Sequence, residues 1–116
     1  MIGIRGATTI DRDTSEEIEK ATVELMKEIM LRNDLKKEKI VSVLFSATED
    51  VRSAYPGRFL RDAMDFSDVA ILHFQEMYVT ESLNLCIRVL IHYDDCFKPH
   101  HVYLHAAKKL RPDLGS

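Results

Sequence analysis

Leu83-Asn84-Leu85-Cys86-Ile87-Arg88-Val89-Leu90-Ile91-His92-Tyr93 is the stretch on which the fold turns. At period two its odd positions (Leu83, Leu85, Ile87, Val89, Ile91 and Tyr93) are all apolar, the pattern of a strand laid against a core. The alternate face is mixed: Asn84, Cys86, Arg88, Leu90 and His92. Arg88 thus stands mid-strand, turned away from the core, with apolar neighbours on both sides. Two readings follow from the strand alone. Either this is a solvated sheet face that carries one charge, or the face lines a pocket and Arg88 is aimed at an anion.

The neighbouring segments supply the rest of a sheet. Residues 69–74 read as a strand running into Gln75-Glu76-Met77. Within it His73 and Glu76 have opposite parity, so both can line one site only where the strand ends or bulges between them. Residues 40–46 are nearly continuous in their apolarity, as in a central strand buried on both faces. Residues 2–9 form a first strand whose Gly3 and Gly6 point to a bulge or a close backbone approach. Arg5 is the second arginine embedded in strand sequence; taken alone, it reads as a solvent-facing edge residue. After a loop holding Cys96 and Pro99, residues 101–104 make a short last strand, and a brief helical segment over 105–110 ends at Arg111-Pro112-Asp113.

Two helices separate these strands. Thr14-Ser15-Glu16-Glu17 is a capping box, with Thr14 accepting from the backbone three residues on and Glu17 reaching back. Ile18, Ala21, Thr22, Leu25, Met26, Ile29 and Met30 then recur at helical spacing as one apolar stripe. Asn33 is the stop, with Lys27 and Arg32 suited to the negative end of the dipole. The methionines in the stripe read as core filling. Pro56 opens a second helix reaching to about Met64. It carries Arg58 and Arg61, three apart and so on one side; such a pair is ordinarily a wet helix face. The expectation is an α+β domain over residues 1–116, a mixed sheet with helices packed on one side.

A 116-residue chain buries roughly two-thirds of its unfolded surface, enough for a core but with little to spare. Oligomerisation would help, and a pocket between subunits would be a natural consequence. A net charge of −3 argues against general nucleic-acid binding, which wants a basic footprint; any positive site is a local concentration. No run of about 18 apolar residues exists for a membrane span, and Met1–Gly6 lacks the apolar core of a secretory leader. Cys86 and Cys96 are too few for a disulfide framework or a zinc knuckle, so the expected setting is cytoplasmic, with reduced thiols. Five histidines invite a metal site. His101 and His105 are four apart, but their segment begins as a strand, and no acidic residue or cysteine stands at a ligating spacing beside them. The reading is that no metal is bound.

The motifs Ile4-Arg5-Gly6-Ala7-Thr8-Thr9, Gln75-Glu76-Met77, Cys86-Ile87-Arg88-Val89, His101-Val102-Tyr103-Leu104 and Leu110-Arg111-Pro112-Asp113-Leu114 occur in that order. With the capped helix, and Ser46-Ala47-Thr48 followed by Asp50, the chain closely resembles the monofunctional chorismate mutases of the bacterial AroH class, the type known from Bacillus. The resemblance runs along essentially the whole chain. It implies a homotrimer, barrel-like in its arrangement of sheets, with active sites at the subunit interfaces. The reaction implied is the rearrangement of chorismate to prephenate, without a cofactor. It gives Arg88 the ether oxygen and a carboxylate, Arg5 and Tyr103 substrate carboxylate, and Glu76 the ring hydroxyl. Tyr55, Gly57, Arg58 and Arg61 match the stretch offered by a neighbouring subunit, and Arg111 a basic residue at the mouth. His73 stands where that family usually has a small residue contacting the substrate hydroxyl. Tyr55 replaces a more usual phenylalanine, Glu81-Ser82 a glycine-containing turn, and the loop before His101 is shorter.

Two other functions fit parts of the pattern. One is a non-catalytic trimeric module that binds a small carboxylate, which would not need Arg88 at an ether oxygen. The other is a trimeric imine deaminase of related architecture, whose own signature residues are not evident here.

Overall fold

The computed structural model describes residues 1–114. Five strands form one mixed sheet: β1 (Ile2–Thr9), β2 (Ile40–Ala47), β3 (Ala70–Gln75), β4 (Cys86–Tyr93) and β5 (Val102–Tyr103), in the spatial order β3-β2-β4-β1-β5. The β1–β4 and β2–β4 pairs are antiparallel; β2–β3 and β1–β5 are parallel. Helix α1 (Ser15–Arg32) crosses between β1 and β2, and short α2 (Leu60–Met64) follows a 3-10 turn over Pro56–Phe59.

The alternation in β4 is carried through the sheet. Ile87, Val89, Ile91 and Tyr93 are buried. Register places Phe45 beside Val89, Val43 beside Ile91, and Ile4 beside Ile91 on that same face. These residues, with Ile18, Leu25, Met26 and Ile29 of α1 and Leu60 of α2, make one core. At Gly6 side chains of α1 come close to the sheet: a Cβ there would lie 2.6 Å from Ile29 Cδ1 and 3.1 Å from the Val102 carbonyl oxygen. The close approach expected of a strand glycine is therefore present. The bulge is elsewhere, in β2 between Ile40 and Ser42, while β1 keeps an unbroken register against β4.

Three other expectations are revised. β4 begins at Cys86 rather than Leu83. Leu85 has a left-handed φ of 49°, and its N–H donates to both Asp50 carboxylate oxygens (3.1 and 3.0 Å) while the Cys86 N–H donates to Thr48 Oγ1 at 3.0 Å. Side chains from the loop after β2 thus occupy donors that a longer ladder would use. β2 is central but buried on one face: Val43 and Phe45 are buried, Val41 is 47% exposed, and Ser42 and Leu44 are half-buried. Helices α1 and α2 lie on the core side, but the 3-10 segment His105–Leu110 packs Ala107 and Leu110 on Ala7 and Tyr103 of the opposite face.

Both ends of α1 are fastened by side chains. Glu17 N–H donates to Thr14 Oγ1 at 3.2 Å, but the Glu17 carboxylate accepts from the Asp11 and Arg12 N–H groups rather than from Thr14. At the other end buried Asn33 stops the helix. Its amide donates to the Ile29 and His100 carbonyls and accepts from the His100 N–H at 2.7 Å. That pair of bonds ties the chain entering β5 to the end of α1. Among the described residues no helix is long and apolar enough to cross a membrane.

Candidate active site

On the sheet face away from α1, one row runs across three strands. Arg88 of β4 is opposite Ala7 of β1, and Ala7 is paired with Tyr103 of β5. Because the middle residue is small, the two long side chains flank a hollow of about 260 Å³. Arg5, two residues before Ala7 and hence on the same face, also lines it, with Leu44, Leu90 and Phe74 for walls. Two cations and a phenol thus face one hollow with apolar sides.

Glu76 joins this group because β3 ends at Gln75. The Glu76 N–H donates to the Ala47 carbonyl at 2.8 Å, which turns the chain over the end of β2. Glu76 Oε2 then lies 3.3 Å from Arg88 Nε, and Oε1 accepts from Ser46 Oγ at 2.6 Å. Ser46 is paired with Arg88 across β2 and β4, so one serine sets the carboxylate beside the guanidinium. Arg88 Nε is buried without an aligned hydrogen bond, although the Arg88 side chain is 40% exposed. Glu76 therefore holds Arg88 by charge, and the part-exposed Arg88 side chain lines the hollow. Behind it, burial pushes the Cys86 thiol above its ordinary range, with Arg88 acting in the opposite sense.

Arg5 is anchored by a histidine. β5 has only two residues, so its ladder against β1 stops at Gly6 and Ala7; the next donor, the Arg5 N–H, goes to His101 Nδ1 at 2.9 Å. An imidazole that accepts at Nδ1 carries its proton on Nε2 and is neutral. Burial, then Arg5, Arg111 and His100, hold His101 below the usual histidine range. Arg111 forms a two-bond pair with Asp113 at 3.2 and 3.0 Å. That pair raises Arg111, to which Tyr103 contributes after Asp113.

The remaining expected residues gather on the other face. His73 is paired with Phe45 and so points to the core side of edge strand β3. It lines a larger cavity of about 630 Å³ with Tyr55, Arg58, Glu49 and Arg52. Its Nε2 accepts from the Gly57 N–H at 2.9 Å, and burial lowers its pKa. Arg61 lies further along, in α2, and lines neither cavity. β3 ends at Gln75, between His73 and Glu76, yet the two stay apart: His73 is on the core side and Glu76 beside Arg88 on the outer face. Within one chain there are two groups: Arg5, Glu76, Arg88, Tyr103 and Arg111 on the outer face, and Tyr55, Gly57, Arg58 and His73 at the edge. Ser46 and His101 carry no signal of a site role in the sequence; each is revealed only by strand register. Among the described residues no group of three histidine, cysteine, aspartate or glutamate side chains is placed to hold a metal ion.

A family model described as chorismate mutase type I matches residues 1–114. Chorismate mutase AroH of Bacillus subtilis (strain 168) is 41% identical over 116 residues, covering 97% of this chain and 91% of that protein. Chorismate mutase AroH of Thermus thermophilus is 39% identical over 118 residues, covering 98% and 96%. A solved chorismate mutase from Clostridium thermocellum superposes with a TM-score of 0.90 at 36% identity, covering 94% of this chain and 99% of that one.

Proposed function

The chain belongs to the chorismate mutase type I family, and we infer that it is the enzyme that rearranges chorismate to prephenate in phenylalanine and tyrosine biosynthesis. The observation that carries the mechanism is Arg88, mid-strand on the outer face, backed by Glu76 and flanked by Arg5 and Tyr103. Chorismate is a dianion, and breaking its ether C–O bond leaves partial negative charge on that oxygen. A guanidinium fixed at the oxygen gains most in the transition state, so it raises kcat rather than only tightening binding. The rearrangement is pericyclic and needs no nucleophile or proton shuttle. Arginine suits the position better than lysine because its planar fork can serve the ether oxygen and a carboxylate together.

Arg5 and Tyr103 then hold substrate carboxylate, Glu76 accepts from the ring hydroxyl, and Arg111 draws the dianion to the mouth. Folding the enolpyruvyl arm over the ring between these groups contributes by orientation. The site is completed by a neighbouring subunit of a homotrimer, whose Tyr55, Gly57, Arg58, Arg61 and His73 close over the outer face. Two features support this assembly: the second group faces away from Arg88 in its own chain, and Leu72 and Phe74, on the Arg88 face, are 60% and 55% exposed. Such an enzyme works in the cytoplasm with its thiols reduced. The carboxylate-binding module has nothing in its favour here, since a simple carboxylate clamp does not need Arg88 held by a counter-carboxylate.

The direct test is the loss of chorismate ultraviolet absorbance on adding purified protein, with prephenate identified by acid conversion to phenylpyruvate. Rapid, protein-dependent conversion is expected. A folded protein that leaves chorismate unchanged would overturn the assignment.

A further inference from the structure

The His73 ring is held by three neighbours. It is stacked on Phe45, with centroids 5.5 Å apart and planes 13° apart. Tyr55 leans on it at 5.1 Å. Nε2 accepts from the Gly57 N–H, so the neutral ring carries its proton on Nδ1. The bonded donor is an unusual one. Pro56–Phe59 is a 3-10 turn whose preceding residue, Tyr55, supplies no side-chain cap. The first N–H groups of a helical turn have no partner within it, and Pro56 has no N–H at all. Gly57 is thus the first orphan donor, and the imidazole of His73, 16 residues away, caps it.

The position is also tight for any Cβ. A Cβ on residue 57 would lie 2.8 Å from Ile71 Cγ2, 2.9 Å from His73 Nε2 and 3.0 Å from His73 Cε1. The large ring at 73 and the missing Cβ at 57 are complementary.

We propose that His73 is a positioning residue: its neutral ring latches the Tyr55–Arg58 turn onto β3 and thereby sets Tyr55 and Arg58 for the substrate. The consequence for catalysis rests on the function proposed above; the latch itself does not. A protonated ring cannot accept from Gly57. The charged or titratable groups sharing its cavity are Glu49, Arg52 and Tyr55 from the loop and Arg58 from the turn. The carboxylate in that cavity is Glu49 of the loop, and β2 and β3 bring none to it; protonation removes the acceptor for Gly57, releases the turn and adds a cation beside Arg58.

The test has two parts. First, the Gly57 amide and the His73 ring nitrogens are followed by NMR against pH in the unmodified protein. The Gly57 amide should shift with the His73 ring, at one common midpoint, and the neutral ring should be the Nδ1–H tautomer. A Gly57 amide that ignores the ring titration, or an Nε2–H tautomer, would overturn the proposal. This reading needs no turnover, so it separates failure of the latch from failure of the enzymatic assignment. Second, His73→Ala and His73→Gln are compared with chorismate as substrate. H73A should raise KM about tenfold, the effect of losing about 1.4 kcal/mol of binding, with kcat changed less than threefold. H73Q, whose amide oxygen can accept from Gly57, should restore most of KM. A fall in kcat with KM unmoved, or a KM in H73Q no better than in H73A, would count against positioning.

Discussion

Replacing Arg88 by alanine separates the site from the fold. The structural cost is small: Arg88 and Glu76 side chains are 40% and 25% exposed and meet at 3.3 Å without an aligned bond at Nε. Such a half-exposed pair contributes at most about 1 kcal/mol. For a chain of this length that is a fall in Tm of no more than about 6 °C. The catalytic cost is larger. One oxyanion-type donor is worth about 3–4 kcal/mol, a factor of roughly 10²–10³ in kcat. Two features of this site add to that figure. The donor is charged, and its removal leaves the Glu76 carboxylate, still fastened by Ser46, facing a dianion. R88A should therefore lose more than a thousandfold in kcat/KM while circular dichroism and the melting curve stay close to the parent's. Lysine at 88 restores the charge without the fork and should recover only part of the rate. An R88A protein within tenfold of parental kcat would refute electrostatic stabilisation at the ether oxygen as the source of the rate.

Three further outcomes test how the site is held. Ser46→Ala removes a 2.6 Å hydroxyl bond to Glu76; a loss of about 1.5 kcal/mol, seen as a roughly tenfold fall in kcat/KM with chorismate, is expected, and an unchanged rate would show that Glu76 needs no such support. Asn33→Ala removes both bonds to the His100 backbone, while the Ile29 carbonyl keeps the N–H of residue 33, and should cost about 2 kcal/mol, read as a lower denaturation midpoint; unaltered stability would mean water replaces the amide. His101 sits below the usual histidine range, so the unfolded chain binds more protons than the folded one between the folded pKa and about 6.5, and stability rises with pH through that window. Below pH 6.5 the protein should lose stability, and Arg5 its fixed position, as the ring acquires a second proton. His73 is lowered as well and acts in the same sense, so His101→Ala should flatten the acid slope of stability without abolishing it. An identical slope in H101A would exclude His101 as a contributor.

What could be read from the chain, and what could not, divides along strand register. The odd positions of β4 announced their face because one side of the strand meets α1, and a period of two survives any uncertainty about neighbours. Opposite parity placed His73 and Glu76 on different faces for the same reason. The start of β4 was hidden because its competitors, Thr48 and Asp50, come from a loop 35 to 38 residues earlier. Ser46 and His101 were hidden likewise: their roles exist only once β2 lies beside β4 and β5 beside β1. Nothing in Arg5, Arg88 and Tyr103 taken singly states that one small alanine lies between two of them; the order β4-β1-β5 does.

The revision at β2 is the most instructive, because the sequence was not misleading about chemistry. Leu44, Leu72, Phe74 and Leu90 make the outer face apolar enough to read as a second core, yet within one chain Leu72 and Phe74 stay more than half exposed. Arg5 and Arg88 stand on the same face, where a permanently dry core would leave two cations desolvated at a cost of several kcal/mol each. A surface that is too apolar for water and too charged for a sealed interior suits a partly covered cleft. There, apolar walls exclude solvent around a small dianion, and low local polarity strengthens each guanidinium's attraction for it. On the proposed reading, covering that face and forming the active site are therefore one event. The mixed strand face around Arg88, ambiguous between a wet surface and a pocket, has the composition that such a cleft requires.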